Sequence, residues 1–300
     1  MGKKILLVGG TGFVGTHLHS LLCHDHEVVQ TGREWDVRHL ESLNQLVARV
    51  DPHWVIHLAA VTTVRDSFKE PEATHQINFQ GTHNLLLALK HHGFSGRMLY
   101  VSSSEIYGMV DENDMPVTET QAVRPISPYA ETKVAAEALC YQWSQVEKFH
   151  ILVARPFNHF GPGQSSRFVV ADFARQIFKI QSGSEDATLH VGDIDATRDF
   201  TDVRDVARAY QKILERGVNG ACYNVCSGIE VTVRHIVEKL AALANVTLKV
   251  TQDPARMRQS EQRRMRGSHA KLTAGTGWKP EIPMDQSLRD ILDDWQQTVA

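Results

Sequence analysis

The sequence predicts an α/β protein, a doubly wound parallel sheet followed by a smaller α+β unit. Three observations predict it. Short β-branched runs alternate with longer helix-period segments through the first half of the chain. A glycine-rich turn joins the first of these runs directly to the first helical segment. The alternation then loosens at Gly161-Pro162-Gly163-Gln164-Ser165-Ser166, a breaker cluster that marks a change of unit.

Taken in order, strands are expected at 3–8, 27–31, 54–58, 97–101 and 151–154, because each is a short apolar, largely β-branched run. Helices are expected from 13, near 40–49 and over 71–92, where apolar residues recur at the helical period. The next helix starts at Ser127-Pro128, with serine as N-cap and proline in the first turn, and continues through Leu139. Beyond the breaker come a helix near 167–181, a strand at 188–191, a helix at 203–216, a strand at 222–225, a helix at 231–244 and a basic loop from Arg256 to Arg266. Residues 1–160 should form the sheet unit, with 198–226 returning to it, while 161–197 and 227–300 form the second unit.

Composition narrows the function. A 300-residue chain with 42% hydrophobic residues can bury a large core, which excludes a disordered protein. The net charge of −3, with both signs interspersed, offers no basic field for nucleic acid. Lys3-Lys4 precede an apolar run, but Gly9-Gly10 break it too early for a signal peptide or a membrane span, so a cytoplasmic protein without a membrane partner is expected. Cys23, Cys140, Cys222 and Cys226 are scattered and read as reduced thiols, and neither they nor His53 and His57 show metal-ligand spacing.

The first strand runs into Gly9-Gly10-Thr11-Gly12-Phe13-Val14-Gly15. Glycines at this spacing permit a tight turn and close approach of a diphosphate, and the helix start supplies free N–H groups and a positive dipole end. In the first βα turn of a parallel sheet this is the Rossmann dinucleotide site. The second strand ends in Gln30-Thr31-Gly32-Arg33 rather than in an acidic residue. Arg33 can stack on adenine or pair with a 2′-phosphate, so NADP(H) is favoured and NAD(H) is the alternative. Asp36 can accept from the adenine amino group or cap the following helix.

Tyr129 and Lys133 stand at i and i+4 on one face of the helix that Ser127 begins. An ammonium near a phenol favours the phenolate, so Lys133 is expected to lower the pKa of Tyr129 and make it a usable acid or base. Ser102-Ser103-Ser104-Glu105 follow the fourth strand, at the sheet edge where such folds bind ligands. Glycine turn, serine cluster and Tyr/Lys pair together point to hydride transfer between a nicotinamide and a carbonyl or hydroxyl.

With these motifs in place the chain resembles the extended short-chain dehydrogenases/reductases over nearly its whole length. The resemblance rests on the Gly9–Gly15 turn, His57-Leu58-Ala59-Ala60, Ser102-Ser103-Ser104-Glu105-Ile106-Tyr107-Gly108, Tyr129-x-x-x-Lys133 and Arg155-Pro156-Phe157-Asn158. It implies Ser103, Tyr129 and Lys133 as catalytic residues, with Glu105 as a further candidate. It also implies a cofactor site of Gly9, Thr11, Gly12, Phe13, Val14, Gly15, Arg33, Asp36, Val37, Leu58, Ala59 and Ala60 together with Tyr129 and Lys133.

Longer strings are similar to the GDP-4-keto-6-deoxy-D-mannose reductases, which form GDP-D-rhamnose. These are Phe157-Asn158-His159-Phe160-Gly161-Pro162-Gly163-Gln164, Arg198-Asp199-Phe200-Thr201-Asp202, Tyr223-Asn224-Val225-Cys226-Ser227-Gly228 and Gly275-Thr276-Gly277-Trp278-Lys279-Pro280. That likeness implies a GDP-linked 4-keto-6-deoxyhexose as substrate. Ser103, Ser104, Asn158, Arg198, Arg258 and Glu261 would contact it. Asn158 can instead cap a turn, and Arg198 can pair with Asp199 or Asp202. Glu105 leaves a GDP-mannose 4,6-dehydratase open as the rival activity, because water loss needs a carboxylate base beside the sugar, and another nucleotide-sugar dehydratase or epimerase is open with it. A non-catalytic NAD(P)-binding sensor is the alternative of another class. The likeness further implies a homodimer through helices 71–92 and 129–146.

Overall fold

The computed structural model describes residues 2–256 and 262–299. Its centre is a parallel six-stranded sheet. β1 (Lys4–Val8) runs through the glycine turn into α1 (Phe13–Leu22), then come β2 (Glu27–Gln30), α2 (Leu40–Val50) and β3 (Trp54–His57). After α3 (Val64–Lys69), α4 (Pro71–His75) and α5 (Gly81–His91) come β4 (Arg97–Val101), α6 (Pro128–Val146) and β5 (His150–Pro156). The sheet order is β2-β1-β3-β4-β5, closed at its far edge by β9 (Cys222–Val225) beside β5. The order reverses between β1 and β3, so the carboxyl ends of these strands open a crevice beside the glycine turn.

Both faces of the sheet are covered, as near-continuous apolar strands require. Leu6, Val8, Val55, Met98 and Tyr100 pack under α2, α5 and α6. Ile5, Leu7, Ile56, Leu99 and Leu152 pack under α1 and α8 (Val203–Arg216), which contributes Val206, Tyr210 and Ile213. A separate core lies in the C-terminal half. It is built on α7 (Val169–Gln181), β7 (Thr188–Val191), α9 (Val233–Ala244) and α11 (Met284–Val299), around Phe173, Ile177, Leu189, Ile236, Leu240 and Leu288.

Two small sheets sit on this second core. β6 (Asn158–Phe160), β8 (Thr197–Asp202) and β10 (Glu230–Thr232) form one in the order β10-β8-β6, and β11 (Lys249–Gln252) pairs with β7 in the other. α10 (Ala270–Thr276) packs its Leu272 against the α8 face of the main sheet. The stretch 198–226 therefore returns to the main sheet through α8 and β9, whereas its first residues belong to β8 of the small sheet.

The single helix expected over 71–92 is interrupted. Residues Gln76–Gln80 form a π-helical turn between α4 and α5. At the interruption Thr82 Oγ1 donates to the Asn78 carbonyl at 2.6 Å, and the Asn78 side chain leaves the helix to bond Val61 and Thr132. None of the described helices is long and apolar enough to cross a membrane.

Candidate active site

The glycine turn is shaped by contacts that no other residue could make. Gly9 has φ +78, and a Cβ there would lie 2.6 Å from the Ala59 nitrogen, so the turn lies flush against the segment after β3. Leu58 and Ala59 both donate to the Val8 carbonyl, at 2.8 and 3.0 Å, which fixes that approach. A Cβ on Gly15 would sit 2.1 Å from the Gly10 carbonyl oxygen, so α1 meets the turn backbone to backbone.

Gly12 differs. It is the N-cap of α1, no side chain caps it, and a Cβ there would find only ordinary contact at 3.4 Å. The chain itself leaves that space open over a helix N-terminus, which is the geometry that receives a phosphate. Thr11 is exposed beside it with its N–H on the Thr31 carbonyl, Val14 packs towards the sheet, and Phe13 stacks on His159 with ring centres 6.2 Å apart.

At the tip of β2, Arg33 is exposed and makes no ion pair among the described residues. The neighbouring Gly32 N–H donates to Glu34 Oε1 at 2.8 Å, and this bond holds the Glu34 carboxyl below its ordinary range. Asp36 caps no helix: Arg38 grips it through Nε at 3.0 Å and Nη2 at 2.6 Å, and the Arg38 N–H donates to it as well. The N-cap of α2 is His39, so the capping alternative for Asp36 is corrected to a two-residue turn. The Val37 side chain is buried in the core and its carbonyl accepts from Asn84.

Tyr129 and Lys133 project from the first two turns of α6, which starts as expected: Ser127 Oγ accepts from the Ala130 N–H at 3.1 Å with Pro128 behind it. Both side chains are buried. Lys133 Nζ donates to the Val101 carbonyl at 2.8 Å, lies 5.1 Å from the centre of the Tyr100 ring and 5.8 Å from that of Tyr129. Ser103 is buried at the end of β4, and its oxygen also accepts from the Glu105 N–H at 3.2 Å.

The expected lowering of the Tyr129 pKa is overturned. Burial pushes the phenol up to about 12, the Ser103 hydroxyl offsets part of this, and the nearby Glu105 charge adds to it. Lys133 is pushed down to about 8, again by burial, with Glu137 and Cys140 acting in the opposite direction. Helical spacing brought the pair together, but removal from water sets the direction of both shifts. Tyr129 is therefore a protonated donor at neutral pH.

Around this pair, Ser104 is buried and Glu105 is exposed. Asn158 is half-buried at the start of β6, opposite Phe200 of β8, and so sits in a strand rather than capping a turn. Arg198 lies on β8, where Nη1 donates to the Thr197 carbonyl at 2.7 Å. Its two alternative partners are engaged elsewhere: Asp199 accepts from Ser227, Gly228 and Gly267, and Asp202 from Arg204 and Ser287. Arg258 and Glu261 lie outside the described residues. Among the described residues no His/Cys/Asp/Glu group could hold a metal.

A family model described as GDP-mannose 4,6 dehydratase matches residues 31–291. The chain belongs to this family of extended short-chain dehydrogenases/reductases. The GDP-6-deoxy-D-mannose reductase of Pseudomonas aeruginosa is 49% identical over 302 residues, covering 100% of this chain and 99% of that one. A solved structure of RMD from Pseudomonas aeruginosa complexed with NADPH superposes with a TM-score of 0.92 at 49% identity, covering 98% of this chain and 99% of that one. The GDP-mannose 4,6-dehydratase of Yersinia enterocolitica is 27% identical, covering 98% of this chain and 94% of its own.

For a member of this family the site contains supports that motif reading missed. Gln30 Nε2 donates to the carbonyls of Gly10 and Gly15, at 3.1 and 3.3 Å, and so clasps the glycine turn from β2. Asn78 in the π turn bonds the Val61 N–H and carbonyl at 2.8 and 3.2 Å and Thr132 Oγ1 at 3.1 Å. It thereby ties the segment after β3 to the helix that carries Tyr129. The available signal was a row of polar residues, Thr74, Asn78 and Thr82, four apart on one helix face and all buried. His57 is buried under Lys133 with Nε2 on Thr82 Oγ1, and burial pushes it down to about 3, so it stays neutral.

Proposed function

We propose that this chain reduces the 4-keto group of GDP-4-keto-6-deoxy-D-mannose, using NADPH, to give GDP-D-rhamnose. The observation that carries the reading is the buried, protonated Tyr129 phenol beside Ser103 and above the Lys133 ammonium, at the sheet edge next to the Gly12 cradle. Full-length likeness to the Pseudomonas reductase supports the choice of sugar and direction. NADPH, when bound, supplies the hydride that reaches C4.

The residues of the chain handle oxygen and charge. Ser103 donates a hydrogen bond to the C4 carbonyl oxygen and orients it. Tyr129 then gives that oxygen its proton as the C=O bond becomes a C–OH bond. Lys133 lies near enough to stabilise the phenolate left behind. Gly9, Thr11, Gly12, Phe13, Val14 and Gly15 hold the diphosphate of the cofactor, Arg33 its 2′-phosphate, and Leu58, Ala59 and Ala60 line its path to Tyr129. Asp36 and Val37 border the adenine end. Ser104, Asn158 and Arg198 meet the sugar and its diphosphate, with Arg258 and Glu261 completing that side. The division into 1–160 with 198–226 for the cofactor, and 161–197 with 227–300 for the nucleotide sugar, belongs to the same reading.

Mixing the protein with the keto-sugar and following NADPH fluorescence tests it. Loss of reduced cofactor matched by alcohol formation is the expected result, and unchanged fluorescence overturns the reading. The exposed Glu105, whose charge reaches Tyr129, favours dehydration of GDP-mannose as a second reading. Loss of one water from GDP-mannose without net NADPH consumption is its signature. We also infer a cytoplasmic homodimer, paired through the helices of residues 71–92 and 129–146; sedimentation at twice the chain mass is expected.

A further inference from the structure

Lys133 is an ammonium enclosed by protein on every side that packs against it. From β4 come the Tyr100 ring, 5.1 Å from Nζ, and the Val101 carbonyl at 2.8 Å. From β3 comes His57, neutral through burial. From α6 come Tyr129, whose phenol stays protonated, Cys140, whose thiol burial holds in its neutral form, and Glu137. Of these groups only Glu137 brings a negative charge.

Glu137 stands at i+4 from Lys133, on the same face of α6 and one turn deeper. Its carboxylate is held by Arg155 of β5 in a fork: Nε donates to both oxygens, at 3.0 and 3.2 Å, and Nη2 to Oε2 at 2.6 Å. The pair is buried, with side-chain exposures of 8% and 12%. Arg155 is itself fixed, since Nη1 donates to the Tyr107 hydroxyl at 3.0 Å and to the Glu119 carbonyl at 3.3 Å. Tyr107 donates on to Asn224 Oδ1 at 2.7 Å, and the Asn224 N–H is bound by Glu119 Oε1 at 2.7 Å. The carboxylate behind Lys133 is therefore anchored by β5, β9 and the loop that carries Ser103.

A buried ion pair gains little net stability over an apolar pair of the same shape. Its effect on a third charge is set by which member stands nearer, and on Lys133 the influence of Glu137 favours the ammonium. We propose that Glu137 is a positioning residue for Lys133: clasped by Arg155, it holds a fixed negative charge one helical turn behind the ammonium and keeps Lys133 charged while buried. This rests on the reading of Lys133 as the partner of Tyr129. The Arg155–Glu137 pair is thereby an electrostatic support of the reaction rather than only a brace between α6 and β5.

The test is Glu137→Gln, which keeps the size of the side chain and an oxygen for Arg155 while removing the charge. Titration of the lysine Cε resonances in the ligand-free protein reads Lys133 directly. Its midpoint should fall by about one unit in the variant, a tenfold loss of the ammonium form at a pH above both midpoints. In turnover, the alkaline limb of kcat should move down by the same amount, leaving the rate at pH 6 within about threefold of wild type. Glu137→Asp should restore most of the midpoint, and serves in place of Glu137→Gln if that variant does not fold; its midpoint should then fall by a smaller amount.

An unmoved Lys133 resonance, or a rate lowered equally at every pH, overturns the proposal and leaves the pair a structural brace. Lys133→Met separates this from failure of the underlying reading. If Lys133→Met retains turnover, the role of Lys133 is wrong. If it loses turnover while Glu137→Gln leaves the Lys133 midpoint unmoved, only the role of Glu137 is wrong.

Discussion

Tyr129→Phe removes a single oxygen from a buried ring. The phenol is pushed up to about 12 by burial, so at pH 7 nearly every molecule carries the proton to be donated. Losing a positioned general acid costs ~10²- to 10⁴-fold in rate, which is about 3–5 kcal/mol of barrier. The ring keeps its packing and the lost hydroxyl is the one that bonds Ser103, so stability should change by only about 1 kcal/mol. Steady-state NADPH oxidation with the keto-sugar, run beside thermal melts and NADPH binding, separates these effects. kcat should fall at least about 100-fold, with melting and cofactor binding retained. Turnover within about twofold of wild type would refute the role of Tyr129, the phenol that hydrogen-bonds Ser103.

Gly12→Ala should fold normally, since its Cβ meets nothing closer than 3.4 Å, yet weaken NADPH at least about tenfold because the methyl enters the phosphate space; retained affinity by fluorescence titration would contradict that. Gly15→Ala should instead impair folding itself, its Cβ falling 2.1 Å from the Gly10 oxygen, and melts would show it. Arg33→Ala should cut NADPH affinity about tenfold and leave NADH affinity nearly unchanged; an equal loss for both would remove Arg33 from the 2′-phosphate.

The pH dependence of stability follows from Lys133. Burial lowers it from 10.5 to about 8, so between these values the unfolded chain binds more protons and stability rises with pH. Lys133→Met should therefore stabilise the fold at pH 7 by on the order of 2 kcal/mol, after allowing for the lost bond to Val101, with the advantage shrinking above pH 8. Equal melting differences at pH 7 and pH 10 would contradict this sign.

The main sheet was legible in the sequence because each of its strands is a short apolar run, and because the glycine turn names the first βα unit. The capped start of α6 was legible for the same reason: Ser127 and Pro128 are local signals with local effects. β6, β8 and β10 were not, since three to six residues rich in polar side chains show no period, and only their mutual pairing makes them strands. The π turn depends on Asn78 reaching Thr132, 54 residues away. Gln30 and the Glu137–Arg155 fork were missed on similar grounds, because each acts through a partner that only the fold brings near. Spacing correctly joined Tyr129 to Lys133 but misjudged the sign of the Tyr129 shift, since an i,i+4 relation carries no information on burial.

Transfer of isotope from NADPH tests the central claim most directly. The protein would be incubated with the 4-keto sugar nucleotide and NADPH deuterated at the reactive face of nicotinamide C4, and the product examined by mass spectrometry and proton NMR. One deuterium at sugar C4, with one NADPH oxidised per alcohol formed, is the predicted result. A product without deuterium at C4, or unconsumed NADPH in the presence of folded protein and substrate, would contradict it.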